Sequence, residues 1–119
     1  MRKLNLTEGL TRFSDHWRPK IVADLNDCKV QLVKIKGDWV WHTHDDTDEL
    51  FIVLSGRLTM QLRDGDVELG PGELLVVPQG VEHCPRTSDE VHLVLINRYG
   101  TPNTGDAGGE RTAPEEHLD

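Results

Sequence analysis

The sequence predicts an all-β domain, a sandwich or barrel built from short strands. From Ile21 onward, apolar runs of strand length alternate with turns. The turns carry specific signals, Lys36-Gly37-Asp38, Ser55-Gly56, Asp64-Gly65-Asp66 and Gly70-Pro71-Gly72, at which only glycine or a short polar side chain turns the backbone without strain. No stretch after Pro19 sustains a helical period. Regular short strands punctuated by glycine turns give a sheet packed on or closed upon itself.

Taken in order, the chain starts with an arm, residues 1–20. Leu6, Leu10, Phe13 and Trp17 are spaced by three to four, which predicts a helical turn or two packing an apolar edge onto the body, ended by Pro19. The barrel follows over 21–100, with extended runs at Lys29–Lys36, Trp39–His44, Glu49–Ser55, Arg57–Arg63, Val67–Leu69, Glu73–Val77 and Val91–Asn97. Strand parity puts Glu49, Phe51 and Val53 on one face and Leu50, Ile52 and Leu54 on the other. Both faces are apolar, so the outer one needs a cover, either the arm or a second copy of the chain, and a homodimer is expected. Leu58, Met60 and Leu62 face inward against Arg57, Thr59, Gln61 and Arg63, an outer strand with one wet side. Residues 101–119 lose apolar content and carry five acids against Arg111 alone; they are expected to form an acidic, flexible tail.

His42 and His44 are separated by one residue, Glu49 follows, and His83 comes just after Pro78-Gln79-Gly80. In an extended segment alternate side chains share a face, so His42 and His44 can reach one ion together, with Trp39 and Trp41 facing away as packing. Three imidazoles and a carboxylate suit one divalent transition metal, Mn, Fe, Ni or Zn, and a ligand set without cysteine argues against a purely structural zinc. With six histidines in 119 residues, one His-x-His alone is more often a solvated turn than a ligand pair. The surrounding glycines and prolines change those odds. His92 reads as a hydrogen-bonded barrel residue, and His16 and His117 as surface residues. Asp45, Asp46 and Asp48 lie on the connecting loop, where they are expected to orient the histidines or tune the site rather than serve as acid and base.

At these residues the chain resembles the cupin superfamily. Its first motif is met by Gly37, His42, His44, Glu49 and Gly56, with one residue fewer than usual between Gly37 and His42. Its second is met by Gly72, Pro78, Gly80 and His83, with Thr87 where the family has asparagine. The family's spacing also admits Asp48 as the acidic ligand; Glu49 is preferred for its longer reach and its place at a strand start. The resemblance implies a jelly roll, or double-stranded β-helix, with one metal in the barrel mouth and two adjacent coordination positions left for substrate. It further implies a metal-dependent enzyme acting on a small chelating oxygenated substrate, dioxygenase narrowly ahead of isomerase, or a non-catalytic small-molecule sensing module. Fold alone does not choose among these.

Composition narrows the partners. A formal net charge of -8 disfavours nucleic acid and anionic membranes, and no apolar run is long enough to span a bilayer. Met1–Leu10 lacks the continuous apolar stretch of a signal peptide, so the cytoplasm is the expected compartment, with Cys28 and Cys84 as free thiols. There is no Walker-type glycine loop, Gly-x-Ser-x-Gly elbow or Cys-x-x-Cys pair. No lysine or arginine falls next to a ligand by strand parity, which gives a phosphate pocket little support.

Overall fold

Inward apolar side chains and polar turns close the chain on itself. In the computed structural model, which describes residues 1–119, a five-residue helix α1 (Leu6–Leu10) precedes eight strands. These are β1 (Lys20–Leu25), β2 (Cys28–Asp38), β3 (Glu49–Ser55), β4 (Leu58–Leu62), β5 (Gly65–Leu69), β6 (Leu74–Val77), β7 (His83–Arg98) and β8 (Glu116–His117). The long strand β7 joins the two layers of a jelly roll. Its first residues, His83–Arg86, pair with β4, while His92–Ile96 pair with β3, and β2 lies antiparallel beside it for most of its length. One layer therefore runs β6-β3-β7-β2-β1-β8 and the other β5-β4-β7-β2. The crossover needs slack, which register shifts between Ile35 and Gly37 and between Val53 and Ser55 provide. Gly56 sits at this bend with φ +85°, where a Cβ would come 2.8 Å from the Glu90 carbonyl oxygen; no other residue fits there.

The barrel interior is apolar through most of its depth. Val33, Ile35, Phe51, Val53, Leu58, Met60, Leu69, Val77, Val91, Leu93 and Leu95 form one buried cluster, and each fully buried aliphatic of this kind contributes roughly 1.5–3 kcal/mol. The parity expected for Glu49–Ser55 and Arg57–Arg63 holds, with Phe51, Val53, Leu58 and Met60 buried and Leu50, Ile52, Thr59 and Gln61 only partly so. Toward one end the inward positions turn polar: Gln31 and Lys29 on β2, Asn97 on β7 and Glu49 on β3 are all at least 95 % buried.

Three expectations change. Trp39–His44 forms no strand; it touches the sheet through a single bridge, His42 to His83. No neighbouring strand runs alongside it, and the backbone leaves the ladder after Trp39 N–H reaches the Pro85 carbonyl. Strands β1 and the first half of β7 arise where apolar periodicity is weak, because pairing on β2 and β4 supplies what side-chain burial does not. Residues 101–119 are not a free tail. Thr101 and Thr104 are buried, β8 pairs in parallel with β1, and Glu115 binds the buried Lys29 ammonium at 2.6 Å. This strap is held by polar contacts, so low hydrophobicity misrepresents it.

The arm is capped by Asn5, whose Oδ1 accepts from Glu8 N–H at 2.9 Å. Its helix stops at Leu10, short of the Phe13 and Trp17 that the spacing included. Gly9 packs against Leu32 on the outer face of β2. Beyond its reach Leu74 and Val76 remain 59 % and 46 % exposed beside half-buried Leu50 and Ile52.

Candidate metal centre

The two histidines of the loop reach the barrel interior because three backbone contacts hold the loop there. His42 exchanges both backbone hydrogen bonds with His83, at 3.1 and 3.0 Å. Gly80 of the Pro78-Gln79-Gly80 turn donates to the His44 carbonyl at 2.9 Å. On the far side, Asp106 grips the peptide between the histidines: its Oδ1 accepts from Thr43 N–H at 2.7 Å, and its own N–H donates to the Thr43 carbonyl at 3.0 Å. Gly105 allows that approach, since a Cβ there would lie 2.8 Å from the His42 ring.

Hydrogen bonding fixes what the rings present. His42 Nδ1 lies 2.8 Å from the Val40 carbonyl and His83 Nδ1 lies 2.9 Å from the Val81 carbonyl. A carbonyl only accepts, so both Nδ1 atoms carry a proton and both rings turn Nε2 inward. His44 has no hydrogen-bond partner at either nitrogen, although its ring is buried; its Nε2 comes within 3.2 Å of Glu49 Oε1 without the alignment of a hydrogen bond. Glu49 Oε1 also lies 3.3 Å from His83 Nε2, and its Oε2 accepts from Asn97 Nδ2 at 2.7 Å. One ligand atom from each of these four residues falls within 4.8 Å of all the others. Three imidazoles and a carboxylate crowd one buried space, with Asn97 at its edge. A cation resolves that crowding, and His42, His44, Glu49 and His83 could hold a metal ion.

Protonation favours the same reading. Burial first, and then the neighbouring His83, push His42 down to about 4, so it is neutral at pH 7. Burial alone would raise Glu49, but the His44 and His83 imidazoles beside it outweigh that and hold its carboxyl well below the usual range. The neutral His42 imidazole and the ionised Glu49 carboxylate are in the forms that ligate.

The two acids face different ways. Glu49 faces the histidines, whereas Asp48 turns away to accept from Gln79 N–H at 2.9 Å. Asp45 and Asp46 do not orient the rings either; Asp45 Oδ1 meets the Thr43 hydroxyl and the Asp46 carbonyl meets Arg98. Thr87, at the family's asparagine position, takes the Gly37 N–H at 3.2 Å. His16 and His92 bind Glu90 on the surface, and His117 is exposed in β8. Sequence reading missed Asn97 and its supporter Gln31, which donates to Asn97 Oδ1 at 3.3 Å. Their signal was parity, since both continue the inward row of Leu93 and Leu95 or of Val33 and Ile35. It also missed Asp106, for which the sequence carries no signal.

Beside the four residues lies a pocket of about 40 Å³, with His42 and Glu49 in its wall and Val33, Ile35, Phe51, Leu93 and Leu95 among its lining. Trp17 and Trp39 stack at 4.6 Å between centroids and close one side. Trp39 thus faces the pocket, contrary to the strand alternation expected of it, because Trp39–His44 is a loop. Trp41 does lie away from the cluster, under the Arg63 guanidinium at 3.8 Å.

Comparison with known proteins places this architecture. Residues 30–97, more than half of the chain, match the family model described as Cupin domain, and the chain belongs to the cupin family. A crystal structure of a cupin-2 domain protein from Shewanella frigidimarina is similar with a TM-score of 0.79 and 41 % identity, covering 80 % of this chain and 93 % of that one. The uncharacterized protein YdbB of Bacillus subtilis is 37 % identical over 67 residues, 56 % of this chain and 59 % of YdbB. An acireductone dioxygenase of Bacillus cytotoxicus is 39 % identical over 64 residues, 50 % of this chain and 38 % of that protein. The matches thus span less than two thirds of either curated relative.

Proposed function

We propose that this cupin holds one divalent transition ion, Mn, Fe, Ni or Zn, on His42, His44, Glu49 and His83. We further propose that it acts as a metal-dependent enzyme on a small substrate with two adjacent oxygens, as a dioxygenase ahead of an isomerase. The observation that carries this reading is the convergence of buried acceptors, His44 without a hydrogen bond among them, at the wall of an apolar pocket. When bound, such an ion supplies Lewis acidity toward the substrate's oxygens and, if redox-active, an electron path to dioxygen. Val40 and Val81 set the tautomers of His42 and His83, Asn97 aims the Glu49 carboxylate, and Trp17, Trp39 and Phe51 keep water out.

Dioxygenase stands ahead of isomerase because an isomerase moves a proton between carbons and needs a free base or acid at the substrate. Among the residues lining the pocket, His42, Glu49 and Asn103 are the polar ones, and two of these are assigned to the ion. The likeness to an acireductone dioxygenase supports the same choice over half of the chain. Oxygen uptake by iron- or nickel-loaded protein with a panel of enediols and hydroxyketones tests it. Substrate-dependent uptake is the expected result; tight binding with no turnover on any metal would move the assignment to a sensing module.

A second copy of the chain is the proposed cover for Leu50, Ile52, Leu74 and Val76, which the arm leaves open. Light scattering should give a dimer, and Ile52→Lys should split it by burying an unpaired charge; a strictly monomeric wild type removes this assignment. Two free cysteines, Cys28 and Cys84, support a reducing, cytoplasmic setting.

A further inference from the structure

We propose that the substrate taken at this centre is uncharged outside its two chelating oxygens and carries a small hydrocarbon body, so that phosphorylated, carboxylated and sugar-like molecules are excluded. The inference rests on the metal reading above and is drawn from what the pocket wall offers to a ligand. The floor is Val33, Ile35, Phe51, Leu93 and Leu95, all buried. No lysine or arginine lines the space.

The polar groups of the wall are already committed. Asn103 Nδ2 donates to the Trp17 carbonyl at 3.2 Å and to the Arg111 carbonyl at 3.0 Å, which uses both of its hydrogens. Its Oδ1 accepts from Ala113 N–H at 2.9 Å, and its carbonyl accepts from Trp39 Nε1 at 3.2 Å. Trp17 Nε1 donates to the Lys36 carbonyl at 2.9 Å. Both indole N–H groups of the stacked pair therefore point into backbone rather than into the pocket. The cations nearby are tied as well. Lys29 is held by Glu115 and the Thr101 carbonyl, Lys34 by the Phe13 carbonyl at 2.6 Å, and Arg111 donates to the Asp38 carbonyl while lying 5.3 Å from the Trp39 ring centroid.

A phosphate or carboxylate entering here would leave water and meet no donor, and each hydroxyl of a sugar would lose its hydrogen bonds in the same way. A hydrocarbon body loses nothing on entry and gains about fourfold in affinity per buried methylene. The wall thus selects by what it lacks.

The test uses cobalt-loaded protein and two hydroxamates that share one bidentate head and one chain length, the first ending in methyl and the second in carboxylate. The visible cobalt spectrum reports binding at the ion. The methyl-ended probe should bind at least about tenfold more tightly. Equal affinities, or tighter binding of the carboxylate, overturn this inference alone, whereas failure to take up cobalt overturns the metal reading and this one with it. Trp39→Ala, checked for fold by circular dichroism, should bring the two affinities within about threefold by opening the wall to water. Trp17→Ala, which alters the arm and no strand, serves if that variant does not fold. A preference unchanged in the folded variant would overturn the pocket as the place where the tail lies.

Discussion

Glu49 and Glu90 each stand between two histidines, one group buried inside the barrel and the other on its surface. Around Glu90, the Nε2 atoms of His16 and His92 both come to 2.7 Å, with the carboxylate side chain 42 % exposed. These are short N–H to carboxylate bonds; the His16 bond first, and then that of His92, hold Glu90 down to about 2. Around Glu49 the nearest ring nitrogens stop at 3.2 and 3.3 Å, with the carboxylate 5 % exposed. His83 Nδ1 gives its proton to a backbone carbonyl while Nε2 faces Glu49, and His44 has no hydrogen-bond partner. The same two residue types form an ion pair where exposure lets the rings donate. Where the backbone fixes the tautomer and burial keeps other donors away, they form a set that could hold a metal ion.

The comparison breaks first at His44. His44→Ala should abolish stoichiometric metal in elemental analysis, while His92→Ala should leave it unchanged; undiminished metal in the first variant would show the site to be misassigned. The next effect is on pH. A histidine in the unfolded chain titrates near 6.5, whereas folded His42 does so at about 4. Between those values the unfolded chain takes a proton that the folded one refuses, so this contribution is complete above about 6.5 and is lost as pH falls toward about 4. It amounts to about 3 kcal/mol. Metal extends the same demand to every ligating imidazole. The thermal midpoint with metal should therefore fall faster than the midpoint without it, and the gap should close between about pH 7.5 and pH 5. A gap that does not change with pH would mean that the imidazoles are not ligands.

Smaller effects sharpen the contrast. Asp106→Ala should weaken metal binding about tenfold to a hundredfold by calorimetry, the usual range for a partner one step removed from a ligand. Asp106→Asn, whose Oδ1 can still accept from Thr43 N–H, should recover much of that loss. Equal affinities for the two variants and wild type would leave the Thr43 clamp without a role. The least effect belongs to Glu90→Gln, which should cost under about 1 kcal/mol because exposed pairs are screened by water and salt. The Glu90 contribution is present above about 4.5 and lost as pH falls toward about 2. Metal content should be that of wild type; reduced content would couple two clusters that the fold keeps apart.

What could be read from the sequence was whatever has a local period. Phe51 and Val53 against Leu50 and Ile52 follow from alternation within one strand, and His42, His44, Glu49 and His83 from spacing around glycine turns. The rest depends on polar contacts between distant residues, which leave no period. Asn97 meets Glu49 across 48 residues, Asp106 meets Thr43 across 63, and Lys29 meets Glu115 across 86. The last of these anchors a segment whose composition reads as solvated tail. Trp39 was misplaced for a related reason: alternation was applied to a stretch that has no neighbouring strand to enforce it.

The clamp of Asp106 on Thr43 also imposes an order in time. Translation delivers the two loop histidines 63 residues before the aspartate that fixes the peptide between them, an interval of about 3–12 s at ordinary synthesis rates. Until the aspartate is made, the two imidazoles would lack the contact that fixes the peptide between them. An ion taken up by His42 and His44 in that interval would meet an unfinished site, so the strap, rather than the histidine pair alone, would complete it.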